Sequence, residues 1–152
     1  MNSRKTKLVH MDMAWKIADT SNCRRKKVGV VIVRGKIILV SSANGTSAGI
    51  TPCNEGGCPR CLSDTPSGEL YDSCLCIHAE QLAIAQAARS GIRLDGATLF
   101  STLRPCLICA KLCLETGITR IIYNEEIPFS DAVEESYEKF LKQVKLKCIR
   151  GL

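Results

Sequence analysis

The sequence predicts an α/β protein, built as a three-layer α/β/α sandwich around a mixed sheet of about five strands. After one amphipathic segment and a hairpin, segments typical of strands alternate with segments typical of helices. Elements that alternate in this way place helices against both faces of one sheet. The 152 residues suffice for one core but are few for two, so residues 1–152 are expected to form a single domain.

The first elements are a helix followed by two strands. Apolar residues of the first segment recur every three or four positions, as on one face of an amphipathic helix: Leu8, Met11, Trp15 and Ala18. Residues 28–33 and 36–41 are rich in Val and Ile, which favours strands. The break at residues 34–35, Arg-Gly, is short enough for a tight antiparallel hairpin.

The second half of the chain continues with helices and strands in alternation. Residues 79–89 are apolar nearly all round and are followed by Gly91, which predicts a buried central helix with a glycine cap. Residues 97–102 are expected to form a strand. Pro105 is expected at the first position of the next helix, which would end at Gly117.

The C-terminal elements are a strand, a helix and a last strand. Residues 120–123 are predicted to form a strand, and Ser130 is expected to cap the helix that follows. One face of this helix is apolar: Val133, Tyr137, Phe140, Leu141 and Val144. Residues 145–149 are the predicted last strand.

Composition and charge exclude several classes of protein. Charged residues interrupt every apolar stretch before it reaches the roughly 18 residues of a membrane helix, so no membrane span is expected. The basic residues 1–7 are not followed by an apolar segment, so we expect no signal peptide and a cytoplasmic protein. The net charge of +6 suits phosphate-bearing ligands without selecting them. Aromatic residues make up only 5%, which argues against a polynucleotide substrate bound by stacking.

Two short segments carry the chemistry: His-Ala-Glu at residues 78–80 and Pro-Cys-Leu-Ile-Cys at residues 105–109. This pair is a signature of zinc deaminases. One histidine and two thiolates are three zinc ligands, which leaves the fourth tetrahedral position for water. We predict a catalytic Zn²⁺ on His78, Cys106 and Cys109, with Glu80 as general acid and base. The alternative is a closed zinc knuckle in which another cysteine is the fourth ligand.

Further segments, in order, make the chain similar to a known family. They are Ser-Asn-Cys-Arg-Arg-Lys-Lys-Val-Gly at residues 21–29, Asn-Gly-Thr-Ser-Ala-Gly at 44–49, the segment at 78–80, and Thr-Leu-Arg-Pro-Cys-Leu-Ile-Cys-Ala-Lys at 102–111. The chain resembles the deoxycytidylate (dCMP) deaminases of the cytidine deaminase superfamily over nearly its whole length. The resemblance implies a cytidine deaminase-like fold and zinc-dependent hydrolysis of dCMP to dUMP and ammonia.

The resemblance also implies substrate contacts. Asn44 would hydrogen-bond the deoxyribose, and the turn at Gly45 would help to bind phosphates, although Asn-Gly is also a common turn. The basic run at residues 24–27 offers a phosphate contact, although a charge run is more often a solvated face. The residues expected to contact the substrate are Asn44, Gly45, Ala79, Thr102 and Arg25, and Arg104 is a further phosphate candidate.

Three positions depart from the family pattern. Ala43 replaces the usual aromatic residue before the asparagine, Ser47 replaces a proline in the turn, and Leu82 stands where asparagine is common in the central helix. These positions bear on which cytosine nucleotide is used and on regulation. They leave the predicted zinc ligands and Glu80 intact.

The first six of the eight remaining cysteines are expected to cluster at a Cys-rich insertion at about residues 50–76. This polar segment has too little apolar content to order itself, so we expect a second, structural zinc. By the resemblance, Cys23, Cys53 and Cys76 fall at ligand positions. Cys61 is the expected fourth ligand, and Cys58 and Cys74 remain rivals. The alternative is that several are reduced, buried thiols, as expected of Cys113 and Cys148.

The resemblance further implies a homo-oligomer, often a hexamer, with dCTP and dTTP as effectors. Two other functions remain open. One is deamination of another cytosine nucleotide or nucleoside, such as dCTP or cytidine, or of a polynucleotide base. The other is a non-catalytic, zinc-stapled nucleotide-binding module, in which Glu80→Ala would be silent.

Overall fold

The computed structural model describes residues 3–151, and its centre is a mixed sheet. In this part of the chain the sheet has five strands: β1 Gly29–Arg34, β2 Ile37–Ala43, β5 Thr98–Leu103, β6 Arg120–Glu125 and β7 Lys147–Arg150. Their order across the sheet is β2-β1-β5-β6-β7. A separate two-stranded ladder pairs β3 Gly45–Thr46 with β4 Cys76–Ile77. Strand β1 is antiparallel to β2 and β5, whereas β5, β6 and β7 are parallel.

Helices cover both faces of the sheet, as the sequence predicts. Their bounds are α1 Ser3–Ala18, α2 Pro59–Leu62, α3 Ala79–Arg89, α4 Leu107–Glu115 and α5 Asp131–Gln143. Side chains of a strand point alternately to the two faces. Val30 and Ile32 therefore pack with α3, α4 and α5, while Val31 and Val33 pack with α1. The three-layer α/β/α prediction is confirmed.

The hairpin turn lies one residue later than predicted. Arg34 still pairs with Ile37 at the end of the ladder, so the turn is at Gly35 and Lys36 rather than at residues 34–35. Gly35 has a positive φ of 63°, a conformation that glycine adopts without steric cost. The register shifts between Ile32 and Val33, which marks a bulge in the pair.

The central helix α3 spans the predicted residues 79–89, and Gly91 follows it with a positive φ of 65°. The next helix begins later than predicted. Helix α4 starts at Leu107 with Cys106 as its N-cap, so Pro105 precedes the cap instead of opening the helix. The extended backbone of Cys106 is the reason, because its carbonyl already accepts the N–H of Ala110 at 2.9 Å.

The segment between β3 and β4 contains little regular structure. It holds two single 3₁₀ turns, Cys53–Glu55 and Tyr71–Ser73, and the four-residue helix α2. Such short elements do not bury enough apolar surface to fix a segment on their own. Within residues 3–151, no helix has both the length and the hydropathy needed to cross a membrane.

Candidate metal centre and substrate pocket

Three metal-ligating side chains meet where two helices begin. His78 is the N-cap of α3 and Cys106 is the N-cap of α4, both with extended backbone. Cys109 lies in the first turn of α4 and is fully buried. The His78 Nδ1 atom is 3.6 Å from the Cys106 sulfur and 3.4 Å from the Cys109 sulfur. The three predicted ligands therefore converge on adjacent helix ends.

The spacing of these atoms fits a tetrahedral zinc ion. Zn–N bonds of about 2.0–2.1 Å and Zn–S bonds of about 2.3 Å place the two ligand types about 3.6 Å apart. The distances of 3.6 and 3.4 Å match that edge closely. The positive ends of the two helices also favour the thiolate form that a metal binds. The group has three ligands, the number typical of catalytic rather than structural zinc sites.

Glu80 adds a buried carboxyl to this group. It lies in the first turn of α3 and is only 4% exposed. Burial raises the pKa of its carboxyl above the ordinary value, although the charge on His78 and a hydrogen bond with Cys109 oppose the shift. A carboxyl with a raised pKa can both accept and donate a proton near neutral pH.

The two thiols of the site differ in the direction of their pKa shifts. Hydrogen bonding from Cys109 lowers the pKa of the Cys106 thiol to about 4, although burial opposes this. The same contact, together with burial, raises the pKa of Cys109. The contact with Cys106 also raises the pKa of His78. Negative charge thus collects where a divalent cation would neutralise it.

Asn44 holds the loop before β1. Its Oδ1 accepts hydrogen bonds from the Val28 N–H and the Ser21 hydroxyl, both at 2.8 Å. Its Nδ2 donates to the Lys26 carbonyl at 2.8 Å and carries a second hydrogen. The side chain therefore orders the loop that carries Cys23 and Arg25, and the expected deoxyribose contact stays a prediction.

Gly45 and its neighbours border a cavity of about 380 Å³. The close approach at Gly45 is to Asn22, because a Cβ there would lie 2.3 Å from the Asn22 Oδ1. The cavity lining includes Asn44, Gly45 and all three departures from the family pattern, Ala43, Ser47 and Leu82. His78, Cys106 and Cys109 are not among the lining residues, so the cavity extends along α3 away from these three side chains.

The other residues expected to contact the substrate are buried in the fold or bonded to other parts of it. Ala79 is fully buried, and the Thr102 hydroxyl accepts the N–H of Gly29 at 3.1 Å. Arg25 is exposed and donates to the Ser63 carbonyl at 2.7 Å, which joins the basic run to the Cys-rich segment. Substrate contact by these residues stays a prediction.

Arg104 is engaged by α5. Its guanidinium donates to both carboxylate oxygens of Glu134, at 2.6 and 2.7 Å, and lies 4.5 Å above the Phe129 ring. These contacts lower the pKa of Glu134, chiefly through the hydrogen bond with Arg104. Arg104 therefore clamps α5 to the loop before α4, and its expected phosphate contact stays a prediction.

Six cysteines meet at a second place, which we call the six-cysteine cluster. Within each of two overlapping groups all sulfur atoms lie within 4.8 Å of one another: Cys23, Cys53, Cys61 and Cys76, and Cys58, Cys61, Cys74 and Cys76. The first group is the set expected for a structural zinc. Cys58 and Cys74 were the rivals of Cys61 for the fourth ligand position. Both belong to the second group, together with Cys61 and Cys76. The described residues include all ten cysteines, and none forms a disulfide.

Backbone N–H groups surround the sulfurs of the cluster. Although burial opposes it, N–H donors from Cys61 and Leu75 lower the pKa of Cys58 to about 6. The Leu75 N–H lies 3.3 Å from the Cys58 sulfur, and the Arg24 N–H lies 3.4 Å from the Cys53 sulfur. Such donors stabilise thiolates.

Tyr71 links the Cys-rich segment to the metal centre, and the sequence analysis did not single it out. Its ring meets the His78 imidazole edge to face, with the centroids 5.7 Å apart. The Arg60 guanidinium lies 4.6 Å from the centre of the same ring. Tyr71 is the sole aromatic residue within residues 50–76, and this is the feature of the sequence that could have pointed to it.

The fold and the three-ligand site define an α/β/α protein with a zinc-binding region. The family model for the cytidine and deoxycytidylate deaminase zinc-binding region matches residues 4–125. The chain therefore belongs to the cytidine and deoxycytidylate deaminase family, as the sequence motifs indicate.

Several relatives carry the name deoxycytidylate deaminase. The Schizosaccharomyces pombe protein is 42% identical over 114 residues, covering 75% of this chain and 35% of the relative. The Saccharomyces cerevisiae protein is 38% identical over 128 residues, covering 84% and 39%. The chain thus spans less than half the length of these two relatives. The Mycobacterium phage D29 protein is 36% identical over 121 residues, covering 76% and 91%.

A solved structure is similar to this chain over nearly the whole length of both chains. The dCMP deaminase of cyanophage S-TIM5, in complex with dCMP and dUMP, has a TM-score of 0.75 and 30% identity, covering 99% of this chain and 98% of that chain. Its apo form has a TM-score of 0.72. The predicted cytidine deaminase-like fold is confirmed.

Proposed function

We propose that the chain is a zinc-dependent hydrolytic deaminase that converts dCMP to dUMP and ammonia. The observation that carries this proposal is the buried Glu80 carboxyl beside the convergent His78, Cys106 and Cys109. The names of the relatives and the dCMP and dUMP complex of the cyanophage enzyme support this substrate.

His78, Cys106 and Cys109 would hold the catalytic zinc, since their spacing fits its bond lengths. Zinc bound there supplies Lewis-acid chemistry and makes water a strong nucleophile near neutral pH. Packing of α3 and α4 fixes the direction of the three ligands, and the buried surroundings exclude bulk water from the Glu80 carboxyl.

Glu80 carries the protons of the reaction. Its carboxylate accepts a proton as water adds to C4 of the cytosine ring and delivers a proton to the ring nitrogen N3. It then takes up the second proton of the water and passes it to the departing amino group, which leaves as ammonia. The bond from C4 to nitrogen breaks and a carbonyl forms, so water and dCMP give dUMP and ammonia.

Several further properties follow the family resemblance. We propose one domain over residues 1–152, with the Cys-rich insertion at about residues 50–76 held by a structural zinc on Cys23, Cys53, Cys61 and Cys76. We propose substrate contacts from Asn44, Gly45, Ala79, Thr102 and Arg25. The resemblance also supports a homo-oligomer and control by dCTP and dTTP. We propose a cytoplasmic location, because in that reducing compartment clustered cysteines serve more often as metal ligands than as disulfides.

The test is a substrate panel with the purified chain. Ammonia release and chromatography of the uracil product are followed with dCMP, dCTP, CMP, deoxycytidine and a short single-stranded oligonucleotide. We expect turnover of dCMP and none in Glu80→Ala, which controls for a contaminating deaminase. If another compound of the panel is turned over faster than dCMP, that compound replaces dCMP as the proposed substrate. Bound zinc without any turnover would support a binding module instead.

A further inference from the structure

The two groups of the six-cysteine cluster overlap in a specific way. Cys61 and Cys76 belong to both groups. The first group adds Cys23 and Cys53, and the second adds Cys58 and Cys74. A single zinc ion binds about four thiolates in a structural site. One ion would therefore leave two clustered sulfurs without a metal.

The sulfur distances match the edges of zinc tetrahedra. Sulfurs that share one zinc lie about 3.8 Å apart, because each Zn–S bond is about 2.3 Å long. The Cys58–Cys74 distance is 3.7 Å, and the Cys61–Cys74 and Cys61–Cys76 distances are 3.9 Å. These separations are far longer than the roughly 2.05 Å of a disulfide. The edge between Cys61 and Cys76 is common to both groups.

We propose that the six-cysteine cluster is a binuclear zinc–thiolate centre. Cys61 and Cys76 bridge the two ions, Cys23 and Cys53 complete the first ion, and Cys58 and Cys74 complete the second. Two tetrahedral ions need about eight ligand positions, which four terminal and two bridging thiolates fill. This inference deepens the structural-zinc part of the proposed function and rests on it.

The charge balance allows the second ion. One Zn²⁺ with about four thiolates carries a net charge near −2, and two Zn²⁺ with six thiolates carry the same net charge. The second ion, together with the two further thiolates that bind it, therefore adds no net charge to the centre. The basic run at residues 24–27 follows Cys23 directly and supplies positive charge beside it.

The backbone donors also follow this division of roles. N–H groups donate to Cys53 from Arg24 and to Cys58 from Leu75. These two sulfurs are terminal ligands in the proposed centre. A thiolate bound to one cation retains more charge than a bridging thiolate, so N–H donors gain more there.

The first test counts metal ions in the wild-type chain by native mass spectrometry, with elemental analysis of the same sample. We expect about three zinc ions per chain, one at the His78 group and two in the cluster. About two zinc ions per chain would overturn the binuclear centre. Iron in place of zinc would overturn it as well.

A variant pair assigns the second ion. Cys74→Ser removes a terminal ligand of the second group alone, so we expect the loss of one zinc ion per chain. Cys148→Ser is the matched control, because Cys148 lies in β7 outside both groups, and its zinc content should not change. A zinc count that Cys74→Ser leaves unaltered would contradict the proposal.

Cadmium-113 NMR keeps the test independent of how well a variant folds. In the cadmium-substituted wild-type chain, two resonances should be split by coupling to each other through the shared sulfurs. A third resonance, from the His78 group, should show no such coupling. Unsplit resonances would contradict the bridging arrangement.

Failure of this inference is distinguishable from failure of the proposed function. If the chain turns over dCMP but binds about two zinc ions, the proposed function holds and the binuclear centre is wrong. If the chain shows the coupled cadmium resonances but turns over no dCMP, the binuclear centre holds and the proposed function is wrong. His78→Ala should remove the uncoupled resonance while leaving the coupled pair in place.

Discussion

The two metal-ligating regions of the molecule differ in what holds them in place. His78 and Cys106 cap helices whose small residues, such as Ala83 and Ala110, are fully buried against the sheet. The six-cysteine cluster instead draws most of its sulfurs from a segment of short turns and one four-residue helix. Core packing therefore prepares the first region, whereas we expect the metal to order the second.

Metal removal should produce the largest contrast between the two regions. Structural zinc binding supplies about 10–16 kcal/mol in small zinc domains, and residues 53–76 have little else to order them. With a strong chelator, amides of this segment such as Leu75 should lose protection in hydrogen exchange. Amides of β1, β5 and β6 should keep theirs. Equal loss of protection across the chain would contradict the contrast.

One contact between the regions is the Tyr71 ring against His78. Tyr71→Ala removes this support of a proposed zinc ligand, and we expect kcat/KM for dCMP to fall on the order of tenfold. Tyr71→Phe keeps the ring and is the matched control, with near wild-type activity. If both variants behave alike, the ring contact has no role in positioning His78.

Within the core-packed region, the Tyr137 hydroxyl donates to the Pro105 carbonyl at 3.1 Å, just before Cys106. Tyr137→Phe leaves that buried carbonyl without this donor, and we expect a loss of about 1 kcal/mol in the free energy of unfolding. Urea unfolding at constant m value measures it. Tyr123→Phe removes a hydroxyl that donates to the exposed Glu126, so it should change the free energy of unfolding less.

The smallest expected effect is a change in acid stability. The hydrogen bond from Arg104 lowers the pKa of Glu134, so its stabilising contribution is present above the ordinary carboxyl pKa of about 4.5. The contribution is lost as pH falls through the lowered pKa. Glu134→Gln should flatten this acid limb of the pH–stability profile. Glu138→Gln, in an exposed pair with Lys142 on the same helix, should leave it unchanged.

Local patterns predicted the fold well, because each element depends on residues that are neighbours in sequence. The bounds of α3 agree with the prediction from alanine-rich spacing and Gly91. The start of α4 was missed by two residues, since Pro105 suits both the first helical position and the position before the cap.

The candidate site was predictable to the extent that its ligands are local. The three predicted zinc ligands come from two short segments with characteristic spacing, and their convergence follows from the helix starts. The grouping of Cys58 and Cys74 depends on how separate loops approach one another, which spacing does not encode. Tyr71 reaches His78 through the same tertiary approach.

The most direct test of the proposed chemistry compares Glu80→Gln with the wild-type chain at equal, measured zinc content. Glutamine keeps the size of the side chain but does not carry the proton. We predict that dUMP formation from dCMP falls by about 10²–10⁴-fold while the His78 group still binds its zinc. Wild-type rates in the Glu80→Gln variant would contradict the account.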